Sequence, residues 1–299
     1  MSQGSGAGKV IVLGEHAVVY GEPALAAALD RGCSVTIESH PEGPFLELDG
    51  TRFAVGDDNP VARAFRITLE VTQLHEEKIV VRAAFTVPVG AGLGSSAAFA
   101  VALVRALYAH AKRELSDSVL DAAAHEVERL FHGTPSGLDA YLARTGELGL
   151  YVRGKGLEPV TAPAFKLIIA SSGVQRSTEK QVTRVAERTA RIPACSHVLK
   201  AIGDISRAGA AAIASGDLHA LGELMDMNQG LLAALGVSHP ALESLIAYAK
   251  SEGALGAKLT GAGGGGCVIV LAPGHEARIA QALAPMAREV IIATLGGDK

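Results

Sequence analysis

A glycine-rich loop between a strand and a helix is the feature that most constrains how this chain can fold. The loop is Pro88-Val-Gly-Ala-Gly-Leu-Gly-Ser-Ser-Ala-Ala98, and it follows Lys78–Val87, a stretch rich in β-branched residues. Its glycines let the backbone turn several N–H groups toward one point, and the start of the next helix adds partial positive charge. The segment therefore predicts a phosphate-binding loop. Ser95 and Ser96 lie where a hydroxyl can cap the helix or bind a phosphate-bound Mg²⁺.

Two familiar phosphate-binding loops do not fit this segment. A Walker A loop needs a lysine after its last glycine, and a Rossmann loop needs glycine where Ser95 stands. The later run Gly261–Gly266 matches the Rossmann spacing, but a predicted strand follows it where a dinucleotide fold places a helix.

Composition limits the classes of partner. The 299 residues include 27 Lys and Arg against 31 Asp and Glu, a formal net charge of −4, which opposes a large basic surface for nucleic acid or anionic lipid. The widely spaced Cys33, Cys195 and Cys267 favour a reducing compartment over a disulfide framework. The sequence has no apolar run of about 20 residues and no signal peptide pattern. We expect a soluble, cytoplasmic protein that binds neither nucleic acid nor membrane.

Strand and helix signals alternate without a fixed repeat, which predicts an α+β fold. The predicted strands are Lys9–Leu13, Cys33–Glu38, Phe45–Leu48, Lys78–Val87, Phe165–Ser171, Lys258–Thr260, Cys267–Leu271 and Val290–Leu295. The predicted helices are Asn59–Thr72, Ser96–Lys112, Ser116–Phe131, Thr178–Thr189, His197–Ser215, Asp217–Leu235, Pro240–Ser251 and His275–Ala287. The stretch Gly154–Pro163 contains glycine and proline, and it predicts a boundary between domains at 1–160 and 161–299.

A pair of carboxylates follows the glycine loop. On the third predicted helix, Glu128 lies at the edge of the apolar stripe, whereas Glu126 lies on the solvated face. Pro135 and Gly137 predict a rigid turn that presents Asp139. Two inward carboxylates near a phosphate loop suggest one metal ligand and one base. Without the glycine loops, a capping aspartate and a half-buried glutamate would be the better interpretation.

Two further segments place polar residues at the ends of apolar strands. Lys9 precedes the buried run Val10–Leu13, and Glu15 and His16 follow it. By spacing alone, a solvated lysine at a strand end explains Lys9 about as well as a functional role. The segment Lys258-Leu-Thr-Gly-Ala-Gly-Gly-Gly-Gly-Cys267 is too rich in glycine to have been chosen for strand stability. It indicates a loop packed against a ligand or against the first glycine loop, with a flexible hairpin as the alternative.

Together these motifs resemble the GHMP small-molecule kinases over essentially the whole chain. Pro88–Ala98 and Lys258–Cys267 are similar to the second and third motifs of that superfamily. Three segments are similar specifically to the members that phosphorylate mevalonate: Gly14–Gly21, His132–Asp139 and Met227–Gly236. One departure is visible, because the family's usual Ala-Pro-Gly-Lys segment reads Gly6-Ala-Gly-Lys9 here and lacks the proline.

The resemblance implies a fold and an activity. The implied fold has an N-terminal domain like ribosomal protein S5 domain 2 and a ferredoxin-like C-terminal domain. The implied reaction is the ATP- and Mg²⁺-dependent phosphorylation of the 5-hydroxyl of (R)-mevalonate in isoprenoid biosynthesis.

The resemblance also implies roles by position. It makes Asp139 the catalytic base with Lys9 beside it, and it makes Ser96 and Glu128 the Mg²⁺ ligands. The residues expected around the triphosphate are Pro88, Gly90, Ala91, Gly92, Leu93, Gly94, Ser95 and Ser96. Those expected near the substrate are Glu15, His16, Arg176, Thr178, Gly261, Ala262 and Gly263. Arg176 is the first choice for the mevalonate carboxylate, and Arg153 the second.

Several alternatives stay open at this point. Another kinase of the superfamily, such as phosphomevalonate kinase or galactokinase, would share most of these motifs. Galactokinases usually carry a sugar-contacting acid where this chain has Ala17–Tyr20, and a phosphomevalonate kinase would need more cations. A metabolite-binding homologue without activity is opposed by the presence of Lys9, Glu128 and Asp139 together. A homodimer is also open.

Overall fold

The computed structural model describes residues 1–75, 77–132, 137–175 and 177–297. Its strands are β1 (Ser2–Leu13), β2 (Ala24–Ser39), β3 (Phe45–Leu48), β4 (Thr51–Ala54), β5 (Ile79–Phe85), β6 (Leu148–Val152), β7 (Gly156–Pro159), β8 (Phe165–Ser171), β9 (Gly256–Thr260), β10 (Cys267–Leu271) and β11 (Glu289–Leu295). Its helices are α1 (Pro60–Thr72), α2 (Ser95–His110), α3 (Asp117–His132), α4 (Leu138–Thr145), α5 (Thr178–Arg191), α6 (Cys195–Ser215), α7 (Leu218–Ala234), α8 (Pro240–Ser251) and α9 (Glu276–Leu283). A short 3₁₀ helix covers Ala17–Tyr20.

The chain divides into two units by the proximity of its Cα atoms. Unit 1 contains Met1–Lys9, Arg31–Val89 and Gly94–Gly146, and unit 2 contains Val10–Asp30, Gly90–Leu93 and Glu147–Lys299. Strands β1 and β2 and the first glycine loop each continue from one unit into the other. The domain boundary at residue 160 stays a prediction.

Unit 1 has a core shared by a sheet and its helices. The later half of β2 pairs antiparallel with β5, β5 pairs in parallel with β3, and β3 pairs antiparallel with β4. Apolar side chains of α1, α2 and α3 pack with those of β2 and β5 in one cluster that includes Val35, Phe65, Val81 and Leu103. Helix α1 begins at Pro60, one residue after the predicted start, and Asn59 caps it by accepting a hydrogen bond from the Ala62 N–H (2.9 Å).

Unit 2 contains a four-stranded antiparallel sheet in the order β11-β8-β10-β9. Residues of α5 to α9 share one apolar cluster with β8, β9 and β10 that includes Ile168, Leu232, Leu259 and Val268. Elsewhere in the unit, the first residues of β2 pair antiparallel with β6, and β6 pairs with β7.

The α+β fold is confirmed, and most elements lie where the sequence predicts them. Three differences bear on function. Strand β1 begins seven residues before Lys9, so Lys9 lies inside a strand. Asp139 lies in the first turn of α4 rather than on a turn, with Gly137 as the helix cap; Pro135 lies outside the described residues. The stretch Gly154–Pro163 includes strand β7. Among the described residues, no helix combines the length and hydropathy that crossing a membrane requires.

Candidate active site

Glycines in β1 bring Lys9 onto the start of α2 within unit 1. A Cβ atom at Gly6 would lie 2.2 Å from the Ala98 carbonyl oxygen, so strand and helix backbones touch there. A Cβ atom at Gly94 would lie 2.7 Å from Cγ of Lys9, and Gly94 has a φ of 70°. Because Gly94 has no side chain, the Lys9 side chain has room to cross the N-terminus of α2.

Lys9 forms an ion pair with Asp139. Its Nζ lies 3.2 Å from Oδ1 of Asp139, and the exposed fractions of the two side chains are 10% and 25%. Asp139 is in place because Gly137, in the left-handed region with a φ of 81°, turns the chain into α4. An aspartate that keeps a quarter of its side chain exposed beside a buried lysine can meet a ligand from one side.

Glu128 lies on α3 and points inward, as the sequence predicts. It is 1% exposed, whereas Glu126 is exposed and pairs with Arg129 at 3.3 Å. The pKa of Glu128 is raised to about 8, chiefly by burial and then by the nearby charge of Asp139, whereas Lys9 and the backbone of Ala140 act to lower it. The chain has therefore buried a carboxylate without a full complement of partners.

The residues present fit a Mg²⁺ ion. Oε2 of Glu128 is buried and has no hydrogen-bond partner, which is costly for a carboxylate oxygen. A hard cation offers such an atom a partner, and Mg²⁺ is usually held by one or two carboxylates together with substrate phosphates. Within the described residues, no group of three or more His, Cys, Asp or Glu side chains is placed to bind a metal by itself.

Three glycines of the first glycine loop adopt a left-handed backbone conformation, which glycine allows without strain. Gly90, Gly92 and Gly94 all have positive φ, of 74°, 83° and 70°. Gly94 is the N-cap of α2, and no side chain caps that helix, which begins at Ser95, one residue before the predicted start. Backbone N–H groups in the first turn of a helix have no partner within the helix. Together with the helix dipole, they make this end of α2 suited to an anion.

A second polar cluster lies in unit 2, at the turn that follows β1. Glu15 and Lys258 form an ion pair in which both side chains are 0% exposed. Oε2 of Glu15 also accepts a hydrogen bond from Nδ2 of Asn228 (3.3 Å), and the backbone of Gly261 hydrogen-bonds to the same carboxylate. Burial raises the pKa of Glu15 and lowers that of Lys258, while their mutual attraction opposes both shifts.

His16 is held in a conformation that side chains rarely adopt. Its φ is 62° and its ψ is −44°, and the residue is 5% exposed. Nε2 of His16 lies 2.9 Å from the carbonyl oxygen of Ala262. Because a carbonyl only accepts, Nε2 carries the proton in this contact. Strained backbone of this kind persists only where its surroundings hold it.

The second glycine loop packs against the rest of unit 2. Cβ atoms at Gly263 and Gly265 would lie 2.1 Å and 2.6 Å from the carbonyl oxygens of Val237 and Val174. A Cβ at Gly264 would lie 2.1 Å from Nε2 of Gln181. These close contacts, rather than flexibility, account for the glycines at these three positions. The roles expected for Gly261, Ala262 and Gly263 at the substrate stay predictions.

The other predicted substrate contacts are at the start of α5. Thr178 is the first residue of that helix and is exposed, and Ser177 caps it by accepting from the Lys180 N–H (3.3 Å). Arg176, the first choice for the carboxylate, lies outside the described residues. Arg153, the second choice, is exposed.

Sequence reasoning assigned no role to Lys258 or Asn228, although both lie in segments that it singled out. A signal was present in each case. Lys258 is the first residue of the predicted strand Lys258–Thr260, and Asn228 and Gln229 are adjacent amides within a largely apolar helix. Polar side chains at such positions are usually buried only where hydrogen-bond or charged partners are available to them. Gln229 satisfies this by accepting from the Leu259 N–H (3.0 Å) and donating to Glu243 (2.9 Å).

Comparison with known proteins defines the class. The family model described as the GHMP kinases N terminal domain matches residues 59–147, and the one described as GHMP kinases C terminal matches residues 210–287. The chain belongs to the GHMP kinase family, and it is an ATP-dependent small-molecule kinase.

Within that family, the chain is similar to mevalonate kinases. The mevalonate kinase of Pyrococcus horikoshii is 35% identical over 92% of this chain and 90% of its own length. That of Aeropyrum pernix is 37% identical over 90% of this chain and 88% of its own length. The solved structure of L. major mevalonate kinase in complex with R-mevalonate matches with a TM-score of 0.87 at 29% identity, covering 100% of this chain and 97% of that one.

Proposed function

We propose that this protein is a mevalonate kinase, which transfers the γ-phosphoryl group of ATP to the 5-hydroxyl of (R)-mevalonate. The observation that carries the proposal is the Lys9–Asp139 ion pair in unit 1, with the stem of Lys9 crossing the start of α2 at Gly94. The choice of mevalonate as the substrate rests on the similarity of this chain to mevalonate kinases. The proposal includes a cytoplasmic setting, and it includes no nucleic-acid or membrane partner.

Asp139 is proposed to act as the base. It accepts the proton of the 5-hydroxyl while that oxygen forms a bond to the γ-phosphorus; the bond from the γ-phosphorus to the bridging oxygen breaks, and ADP leaves. Lys9 is fixed at 3.2 Å from this carboxylate. Its charge balances negative charge on the transferring group.

The first glycine loop is proposed to hold the nucleotide. The segment from Pro88 to Ser96 presents its N–H groups and the N-terminus of α2 to the phosphate oxygens. Glu128 and Ser96 would hold Mg²⁺, which neutralises phosphate charge when it is bound. The orphaned Oε2 of Glu128 supports this role.

The turn at Glu15 and His16 is proposed to belong to the mevalonate end of the site, with the start of α5. Thr178 and Arg176 would contact the substrate there, and Arg176 would pair with its carboxylate. The loop residues Gly261, Ala262 and Gly263 complete this set. These assignments rest on position in the sequence and on the contact between His16 and Ala262.

A substrate panel tests the proposal. The purified protein is assayed for ADP release with Mg-ATP and, in turn, mevalonate, phosphomevalonate, galactose and homoserine. We expect a kcat/KM for mevalonate at least 100-fold above that for any of the other three. A larger value for phosphomevalonate or galactose would assign the protein to another branch of the family. ADP release with none of the four would remove the proposed substrate altogether.

A further inference from the structure

Glu15 lies in a buried cluster of polar side chains and makes no contact with solvent. Glu15 is 0% exposed, and each of its carboxylate oxygens has a protein partner: Oε1 pairs with Lys258 and Oε2 with Asn228. A carboxylate occupied in this way is not available to a substrate. Glu15 therefore acts through the residues it holds, and the next residue in the chain is His16.

Several further hydrogen bonds within unit 2 hold the turn that carries Glu15 and His16. Oδ1 of Asn228 accepts from the Gly14 N–H (3.4 Å), and the hydroxyl of Thr260 donates to the Ile11 carbonyl (2.9 Å). Lys258 donates a second bond to the carbonyl of Leu259 (2.6 Å), so its ammonium group is held by β9 itself. Strand β9 and helix α7 thus fix the chain on the approach to His16.

We propose that Lys258 and Asn228 are positioning residues that, through Glu15, hold His16 in its strained conformation with Nε2 on the Ala262 carbonyl, so that the imidazole is preorganised for mevalonate. The inference rests on the proposed function for its substrate. A buried ion pair contributes little to net stability compared with an apolar pair of the same size, which makes a positional role the better account of its presence. Preorganised side chains lower the entropy lost when a ligand binds.

The test compares Asn228→Ala with Gln229→Ala. Both variants delete a buried amide from α7, but only Asn228 touches the turn that carries His16. We expect Asn228→Ala to raise the KM for mevalonate at least fivefold, with the KM for ATP within twofold. Gln229→Ala is expected to leave both KM values within twofold of the unmodified values. Its Tm should fall by about as much as the Tm of Asn228→Ala. Equal mevalonate KM values in the two variants would overturn the proposal.

Lys258→Met tests the ion pair itself, because it leaves the Glu15 charge buried without a cation. We expect a larger rise in the KM for mevalonate than Asn228→Ala gives, and partial recovery in the double variant Lys258→Met/Glu15→Gln. No recovery in a folded double variant would contradict action through Glu15. If Lys258→Met does not fold, Asn228→Ala decides the question.

A readout without substrate separates this inference from the proposed function. The ¹⁵N shifts of the His16 imidazole, assigned with His16→Gln, report which nitrogen carries the proton. We expect the Nε2-protonated form in the unmodified protein and in Gln229→Ala, and mixed or exchange-broadened signals in Asn228→Ala. Unchanged shifts in Asn228→Ala would overturn the inference even in an active mevalonate kinase. Changed shifts in a protein inactive on mevalonate would support it and refute only the proposed function.

Discussion

Glu128 lies in an environment very different from that of an ordinary surface carboxylate. Its side chain is buried beside Asp139, and burial is the main reason that its pKa rises from 4.5 to about 8. Between those two values the folded protein binds a proton at this site that the unfolded chain has released. The free energy of unfolding therefore falls as pH rises from about 4.5 to 8, and the group contributes nothing to this change at lower pH.

Glu128→Gln is expected to remove that pH dependence in the metal-free protein. In EDTA, the free energy of unfolding of the variant should exceed that of the unmodified protein by an amount that grows from pH 5 to pH 8, reaching the order of a few kcal/mol. Urea unfolding at each pH measures it. Glu126→Gln, an exposed change on the same helix, serves as the control and should show no such trend. A constant difference for Glu128→Gln would contradict the assigned environment.

At the scale of elements, α2 depends on a glycine for its contact with Lys9. Gly94→Ala places a Cβ 2.7 Å from Cγ of Lys9, so the lysine must move away from Asp139. We expect kcat to fall at least tenfold. Gly50→Ala is the matched control, because Gly50 has a similar φ of 77° but no atom within 4 Å of the added Cβ.

The Gly50→Ala control should lose about 1 kcal/mol of stability from backbone strain alone and keep its kcat within twofold. Steady-state kinetics and urea unfolding of the two variants separate strain from displacement of Lys9. A kcat for Gly94→Ala equal to that for Gly50→Ala would show that Lys9 does not need the space.

The packing of β1 on α2 gives a prediction about stability. Gly6→Ala would bring a Cβ within 2.2 Å of the Ala98 carbonyl, which belongs to a helix backbone and cannot turn aside. Overpacking of this kind costs about 1–3 kcal/mol. Gly56→Ala, with no atom within 4 Å, should stay within about 0.5 kcal/mol of the unmodified protein. Thermal unfolding of both variants tests the contact, and equal Tm values would refute it.

The same elements show what the sequence could and could not predict. Helix α1 was predictable to within one residue at its start, because Asn59 and Pro60 are local signals that act without tertiary help. The first residues of β1 and β2 were missed since small residues carry little strand propensity, and their pairing is decided by distant partners. Helix α4 was missed for a similar reason, as Gly137 signals a turn whether or not a helix follows.

In the candidate site too, local features were predictable from the sequence and long-range contacts were not. The inward position of Glu128 follows from helical periodicity, and the structure confirms it. The partners of Glu15 do not follow from any local pattern, because Lys258 lies 243 residues away and Asn228 lies 213 residues away. Only the folded chain shows that these polar residues satisfy one another.

At the scale of the molecule, three buried thiols report on both units. Cys33 lies in unit 1, and Cys195 and Cys267 lie in unit 2; none of the three is in a disulfide, and all are buried. Burial raises the pKa of Cys33 to about 12, which leaves very little thiolate at pH 8.

We expect the native protein to react with a thiol reagent at pH 8 only on the timescale of unfolding. In urea, all three cysteines should react, consuming three equivalents of the reagent. Variants that keep a single cysteine give the opening rate of each unit separately. Rapid labelling of native Cys33 would contradict its environment.

The Asp139→Asn variant tests the central claim, that the Asp139 carboxylate paired with Lys9 takes the proton of the acceptor alcohol. The substitution keeps the size of the side chain and removes its basicity. Turnover of mevalonate and the Kd for ATP are measured on the same preparation. The account predicts a fall in kcat of roughly 10³-fold with the Kd for ATP within threefold of the unmodified value. A kcat within tenfold of the unmodified protein would contradict it.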